Sequence, residues 1–333
     1  MTRVGVIGAG LIGGSICKSL RRAGVKDITV FSQSESTQSQ VRADGFSLVS
    51  SVAELVSTSD VVFVCVPLDV QMDVFRSIAD AVTSMSRTDV VITDVSSVKG
   101  VEARDASALF AQAGATFVPG HPMAGTEFSG FQASTEDMFQ AATWVLCPGG
   151  ASVDVVGLLT ELVLLTGARV SLLDTDSHDA AVGSISHLPY VAAASLANVL
   201  SASDIQNLAL QLAAGSFRDG TRVAGSEPWL SASMVNFNRD EVLRLLNVFQ
   251  GEIAKMVTAL RDDNNEQVLQ LFSNAQALRR KYESVKAGSS SRNVEWPLAE
   301  AIGSAVAACR GGSLISALAR DANVWRVVLE GTE

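Results

Sequence analysis

The chain of 333 residues holds only three histidines, and His121 stands between Gly120 and Pro122 in GHPMAGTE. An imidazole titrates near neutrality and can take up and return a proton at physiological pH. Following an apolar run (TFVPGHP), His121 reads either as such a group in a loop or as a turn cap ahead of Pro122. Upstream, VITDVSSVKG places Ser96, Ser97 and Lys99 where another apolar run gives way to a helical pattern. Such a strand end faces the ligand crevice of a parallel sheet, which puts all three beside a bound ligand; Ser96 reads alternatively as a helix cap, Lys99 reads rather as an ordinary first-turn lysine, and Ser97 offers a hydroxyl. A third group is FRDGTRVA, with Arg218, Asp219 and Arg222. A guanidinium is always charged and can grip a carboxylate with two hydrogen bonds, and Asp219 reads as a group that orients an arginine or caps backbone. His178 and His187 fall on opposite faces of a regular helix. No His, Cys and carboxylate cluster has metal-ligand spacing, so no metal is expected.

These groups need a frame. VGVIGAGLIGGS supplies Gly8, Gly10 and Gly13 after an apolar strand and ahead of a helix that opens with Leu11 and Ile12. That context makes GxGxxG a dinucleotide signal: a tight turn, a backbone open to a pyrophosphate, and close packing of helix on strand. The second strand ends ITVFSQSES, with Ser32, Gln33 and Ser34 where NAD-binding chains usually carry Asp or Glu. Without that carboxylate a 2′-phosphate is not repelled, so NADP is favoured; the alternative is NAD, with Glu35 swinging in.

Apolar strands are expected at 3–7, 28–32, 61–66, 90–94, 116–119, 143–147 and 169–172, with helices at 12–23, 70–85, 101–113 and 153–166. Runs such as VVFVCV suit a parallel sheet covered on both faces. The expected fold class is an α/β Rossmann-type dinucleotide-binding domain at 1–173 followed by an all-α domain at 174–286. Within the latter, a long Ala-rich run is bent near Pro189, and 238–260 and 266–282 form a helical hairpin with Asn238 as N-cap. Its apolar stripes read as core, and the hairpin suits a homodimer. Residues 287–333 read as a linker, AGSSSRN, and a helical tail of unknown role, too short and too poor in strand pattern for a full ACT domain.

A net charge of −10 argues against nucleic acid as a partner. No stretch reads as long and apolar enough to span a bilayer, the N-terminal run belongs to the glycine motif and not to a signal peptide, and four cysteines without a CxxC pair fit a reduced, cytoplasmic protein.

Six segments in order, GLIGGS, DVSSVKG, GHPMAGTE, HD at 178–179, SHLPY at 186–190 and FRDGTRVA, resemble the prephenate/arogenate dehydrogenases of tyrosine biosynthesis, from the N-terminus to about residue 285. The resemblance implies oxidative decarboxylation of a cyclohexadienyl substrate, with hydride passing to NAD(P). It implies that His121 accepts the carbinol proton and that Ser97 positions the same hydroxyl. Arg222 would bind a substrate carboxylate, with Arg218 adding positive field and Gly215 a backbone contact. Thr126 and Glu127 would line the pocket, although Thr126 also reads as a helix N-cap. His187 reads equally as a pocket residue, a packed core histidine or a residue of the helix bend. Where many prephenate-using members read SHLPH, this chain has Tyr190; with the carboxylate-free strand end, that tilts the expectation to arogenate with NADP over prephenate. Two other readings stand beside this one. A β-hydroxyacid-type dehydrogenase needs a lysine in its helical domain, and none occurs between Lys99 and Lys255. A non-catalytic NADP-binding sensor would need the glycine loop but not His121, Ser97 and Arg222 together.

Overall fold

The computed structural model describes residues 2–126, 128–287 and 290–331. The chain forms two compact units, Met1–Asp176 with Gly288–Glu333, and Ser177–Ala287.

The first unit opens with β1 (Val4–Ile7), α1 (Leu11–Arg22), β2 (Ile28–Phe31), α2 (Glu35–Ala43), β3 (Ser47–Leu48), α3 (Val52–Thr58), β4 (Val61–Val64), α4 (Leu68–Met85), β5 (Val91–Asp94), α5 (Val101–Ala113) and β6 (Thr116–Val118). These strands make a parallel sheet in the order β3-β2-β1-β4-β5-β6. Every residue of β1, β4 and β5 is buried, as central strands covered on both faces require. The order reverses between β1 and β4, and the crevice beyond the strand ends at such a point is where doubly wound sheets bind ligands.

The chain then passes to β7 (Gly120–Pro122), β8 (Thr143–Leu146), α6 (Val153–Leu165) and β9 (Arg169–Leu172). His121 therefore lies in a short strand, not in a loop. β7 runs antiparallel to β8, with His121 opposite Val145.

In the second unit's part of the chain come α7 (Thr175–Val182), a five-residue π turn (Gly183–His187), α8 (Leu188–Ser201), α9 (Gln206–Leu212), α10 (Gly215–Thr221), a 3-10 turn (Arg222–Gly225), α11 (Pro228–Phe237), α12 (Arg239–Arg261) and α13 (Asn265–Ala287). The interruption of the long helix is the π turn. Pro189 comes after it in the first turn of α8. The run Thr175–Ser201 is, by length and composition, long and apolar enough to cross a membrane, against expectation; it carries the buried side chains of His178, Asp179 and His187. The hairpin α12–α13 forms, but its stripe is not all core. Val242 and Leu245 are buried, whereas Ile253, Val257, Leu260, Leu269, Phe272 and Leu278 are exposed. Spacing reveals an apolar helix face but not what covers it.

The tail corrects the expectation most. It is not a helical tail but β10 (Ser290–Pro297), α14 (Ala301–Arg310), β11 (Leu314–Arg320) and β12 (Val324–Gly331), so the segment read as a linker enters a strand at Ser290. These strands complete a second sheet of the first unit, in the order β10-β12-β11-β9-β8-β7. In β12 the alternate residues Trp325, Val327 and Leu329 are buried, the two-residue period of a half-covered strand. They share one core with Ile315, Ala301 and Ala305 from the tail and Trp144, Val156, Leu159, Val163 and Val170 from the first half. At the rim, Arg320 grips Glu161 through Nε (2.7 Å) and a terminal nitrogen (2.8 Å), and Arg169 meets Glu330 at 3.1 Å.

Candidate active site

The glycine turn is built as its spacing predicts. Gly8 has φ +89°, and a Cβ there would lie 2.5 Å from the carbonyl oxygen of Cys65. A Cβ on Gly13 would lie 2.1 Å from the Gly8 oxygen, so α1 can approach the turn only without one. Gly10, in contrast, has nothing within 4 Å of its Cβ position. It occupies the N-cap of α1 without a side-chain cap bond, which leaves an open cradle beside unsatisfied helix N–H groups, a fit for a pyrophosphate. Leu11 and Ile12 are the first residues of that helix, both half-buried.

At the end of β2, Ser32 is buried, its Oγ accepts from Ser34 N at 3.4 Å, and its carbonyl accepts from Gln38 Nε2 at 2.8 Å. Ser34 caps α2, with its Oγ accepting from Thr37 N at 3.3 Å. Gln33 and Ser34 are both exposed, and Gln33 makes no cap bond.

Beyond β5 the structure departs from expectation at both Lys99 and Ser96. Lys99 is fully buried, not a solvated first-turn lysine, and its Nζ lies 2.6 Å from Asp94 Oδ2 and 2.9 Å from Ser96 Oγ. Ser96 does not cap α5, whose N-cap is Gly100. Its hydroxyl donates to Asp94, and its backbone N–H reaches the same carboxylate at 3.1 Å. Asp94 Oδ2 also accepts from Gln71 Nε2 at 3.1 Å, while Oδ1 accepts from Gly120 N at 3.0 Å. One buried carboxylate thus ties the Ser96–Lys99 loop to the residue before His121. Buried charge is tolerable only when paired and hydrogen-bonded in this way. Sequence reasoning misses Asp94, whose one signal is a lone carboxylate ending an apolar strand. Gly120 must be small, since a Cβ would sit 2.7 Å from the Asp94 carbonyl oxygen. Ser97 and His121 are both half-buried. Thr126 caps no helix: its Oγ1 accepts from Phe128 N at 3.2 Å. Glu127 lies outside the described residues.

The helical unit holds the remaining candidates. His178 Nδ1 lies 2.7 Å from Asp179 Oδ1. Asn238 occupies the N-cap position of α12 but makes no cap bond. Its Nδ2 instead donates to the Asp179 carbonyl at 2.9 Å and meets His187 Nδ1 at 3.1 Å. The expectation of opposite faces for His178 and His187 fails because the π turn takes up an extra residue and rotates the rest of the helix by about 100°. Burial pushes His187 down to about 4, with His178 acting in the same direction and Asp179 opposing. Tyr190 is half-buried, and Ser226 Oγ lies 3.5 Å from its hydroxyl. Arg218 pairs with Asp219 at 3.0 Å, the orienting role expected of that aspartate. Gly215 opens α10. Arg222 starts the 3-10 turn, exposed and without an ion-pair partner among the described residues.

Residues 16–172 match the model of the prephenate dehydrogenase nucleotide-binding domain, and residues 174–274 that of the prephenate dehydrogenase dimerization domain. A cyclohexadienyl dehydrogenase of Zymomonas mobilis is 30% identical over 283 residues, covering 83% of this chain and 94% of the relative. The chain belongs to the prephenate dehydrogenase family. Among solved structures, an arogenate dehydrogenase of Synechocystis is similar at a TM-score of 0.75 and 29% identity, over 84% of this chain and 99% of that one. A prephenate dehydrogenase of Aquifex aeolicus, in complex with hydroxyphenyl propionate and NAD+, has the same TM-score at 27% identity, over 85% and 98%.

As a member of the family, this chain is an NAD(P)-dependent dehydrogenase that oxidatively decarboxylates a small cyclohexadienyl substrate in tyrosine biosynthesis. Membership displaces the β-hydroxyacid and sensor readings. The family matches end at residue 274, ahead of the strands β10 to β12.

Proposed function

We propose that this enzyme acts on arogenate in preference to prephenate, uses NADP in preference to NAD, and works as a homodimer. The observation that carries the catalytic part is the Asp94 carboxylate, which holds the Ser97 loop and the His121 strand from one point. His121 accepts the carbinol proton as the carbon–hydrogen bond breaks, and Ser97 orients that hydroxyl. Loss of the ring carboxylate as carbon dioxide then completes an aromatic ring. When bound, the nicotinamide would supply the hydride acceptor; Gly8, Gly10, Leu11, Ile12 and Gly13 would form the turn and helix start that hold its pyrophosphate, and Ser32, Gln33 and Ser34 would be the residues at its adenosine ribose. Arg222 binds a substrate carboxylate and Arg218 adds positive field; Gly215, Thr126, Glu127, His187 and Tyr190 are the further residues assigned to substrate binding.

Arogenate is favoured by Tyr190 where many prephenate-using members of the family carry histidine, because the substrates differ in an ammonium against a keto group on the side chain. NADP is favoured by a strand end without a carboxylate. The homodimer rests on the exposed apolar stripe of α12 and α13 and on the match to a dimerization domain. Four cysteines without a CxxC pair fit a cytoplasmic enzyme.

A kinetic matrix of two substrates against two cofactors tests the preferences. The expected result is the highest kcat/KM for arogenate with NADP; the highest value for prephenate or for NAD overturns that half of the proposal. Arg222→Ala is expected to raise the substrate KM by about 10- to 100-fold, the value of a charge-assisted hydrogen bond, without changing cofactor affinity. A KM within about twofold of the parent, far below that range, removes Arg222 from the pocket.

A further inference from the structure

We propose that Asn238 holds His187 as the neutral tautomer protonated on Nε2, so that this imidazole meets the substrate as a hydrogen-bond donor. The donor role rests on the proposed place of His187 in the substrate pocket; the tautomer does not.

The assignment rests on one group that has no choice. The Asp179 carbonyl can only accept a hydrogen bond, so the Asn238 atom 2.9 Å away must be the amide nitrogen. That fixes the orientation of the amide, which neither distance nor shape alone decides. The same nitrogen lies 3.1 Å from His187 Nδ1, and its second proton points to a ring nitrogen that must therefore accept. A neutral imidazole that accepts at Nδ1 carries its proton at Nε2. Asn238 of α12 meets the ring directly, and the titratable groups whose charge acts on it are Asp179 and His178 of α7. Glu241 of α12 also packs against the π turn, at Gly183. Burial favours the uncharged ring. Among the described residues Nε2 has no hydrogen-bond partner of its own, so its N–H is available to an oxygen of a carboxylate or keto group.

The π turn favours the arrangement. A regular helix would set His187 about 80° around the axis from Asp179, and the extra residue brings the two nearly into line. Asn238 is a positioning residue in this account. It stands at a helix N-cap yet spends its amide on the neighbouring helix, leaving the N-terminus of α12 to its acidic first turn.

With only three histidines, the full-length protein labelled with 15N-histidine gives a tractable two-bond proton–nitrogen correlation spectrum, and the His187 signals are identified by their loss in His187→Gln. The expected result at neutral pH is a bare Nδ1 and a protonated Nε2. Asn238→Asp sets a carboxylate against Nδ1 and is expected to move a proton onto it. It is also expected to raise the substrate KM by about tenfold, while cofactor affinity holds. Should Asn238→Asp not fold, Asn238→Ser is expected to show a mixture of the two neutral tautomers. A wild-type His187 protonated on Nδ1, or an unchanged Nε2-protonated ring in the Asn238 variants, overturns the proposal. A substrate KM unchanged in His187→Gln overturns the pocket reading instead, with the tautomer still decided by the spectrum.

Discussion

Replacing His121 by asparagine is expected to lower turnover by about 10²- to 10⁴-fold, the span that general acid–base catalysis supplies. Asparagine keeps roughly the size of the ring and a polar tip, but it cannot accept a proton at neutral pH. The backbone of β7 is set by pairing with β8 and by the bond from Gly120 N to Asp94, and neither involves the imidazole. The variant should therefore fold and retain its cofactor affinity. Steady-state kinetics with a fluorescence titration of cofactor binding checks both halves. Turnover close to that of the parent enzyme would take the proton-acceptor role away from His121.

Ending the chain at residue 287 is expected to unfold the first unit. Ile315, Trp325, Val327 and Leu329 are buried and stabilise by about 1.5–3 kcal/mol each, which together rivals the roughly 5–15 kcal/mol that holds a whole domain. Their removal also bares Trp144, Val156, Leu159 and Val170, which share that core. The rim pairs Arg320–Glu161 and Arg169–Glu330 are partly exposed and add little. The truncated chain should retain helical circular dichroism from Ser177–Ala287 but bind no nicotinamide dinucleotide. Cofactor binding with an unchanged melting temperature would show that the tail is dispensable.

The parts of this fold that are legible in the sequence are those buried on both sides. VGVI, VVFV and VITD are continuous apolar runs because no face of their strands meets water, and the glycine turn is visible because two of its three glycines are forced by backbone contacts. α2 is not visible: ESTQSQVRA buries only Val41. β10 is an edge strand whose side chains are mostly exposed, so SSRNVEWP carries no apolar signal and passes for a linker. The alternation in VWRVVLEG is present, but the strand β9 that its sheet extends lies far back in the chain, so nothing local shows which side is covered. His121, Ser97 and Arg222 come from motifs. Lys99 does not, because its burial depends on Asp94 turning inward at the end of β5. The link between Asn238 and His187 cannot be read either, since it depends on a π turn that no periodicity in GSISH announces.

The path of the chain carries a consequence for synthesis. The helical unit interrupts the first unit between β9 and β10. A ribosome adding about 5–20 residues per second delivers the whole helical unit before β11 and β12 emerge. For on the order of ten seconds at that pace, α6 and β9 wait with their apolar side uncovered, while α7 to α13 are already free to fold. The domain begun first is finished last, and its half-built sheet is the species that a chaperone, or an aggregate, would meet.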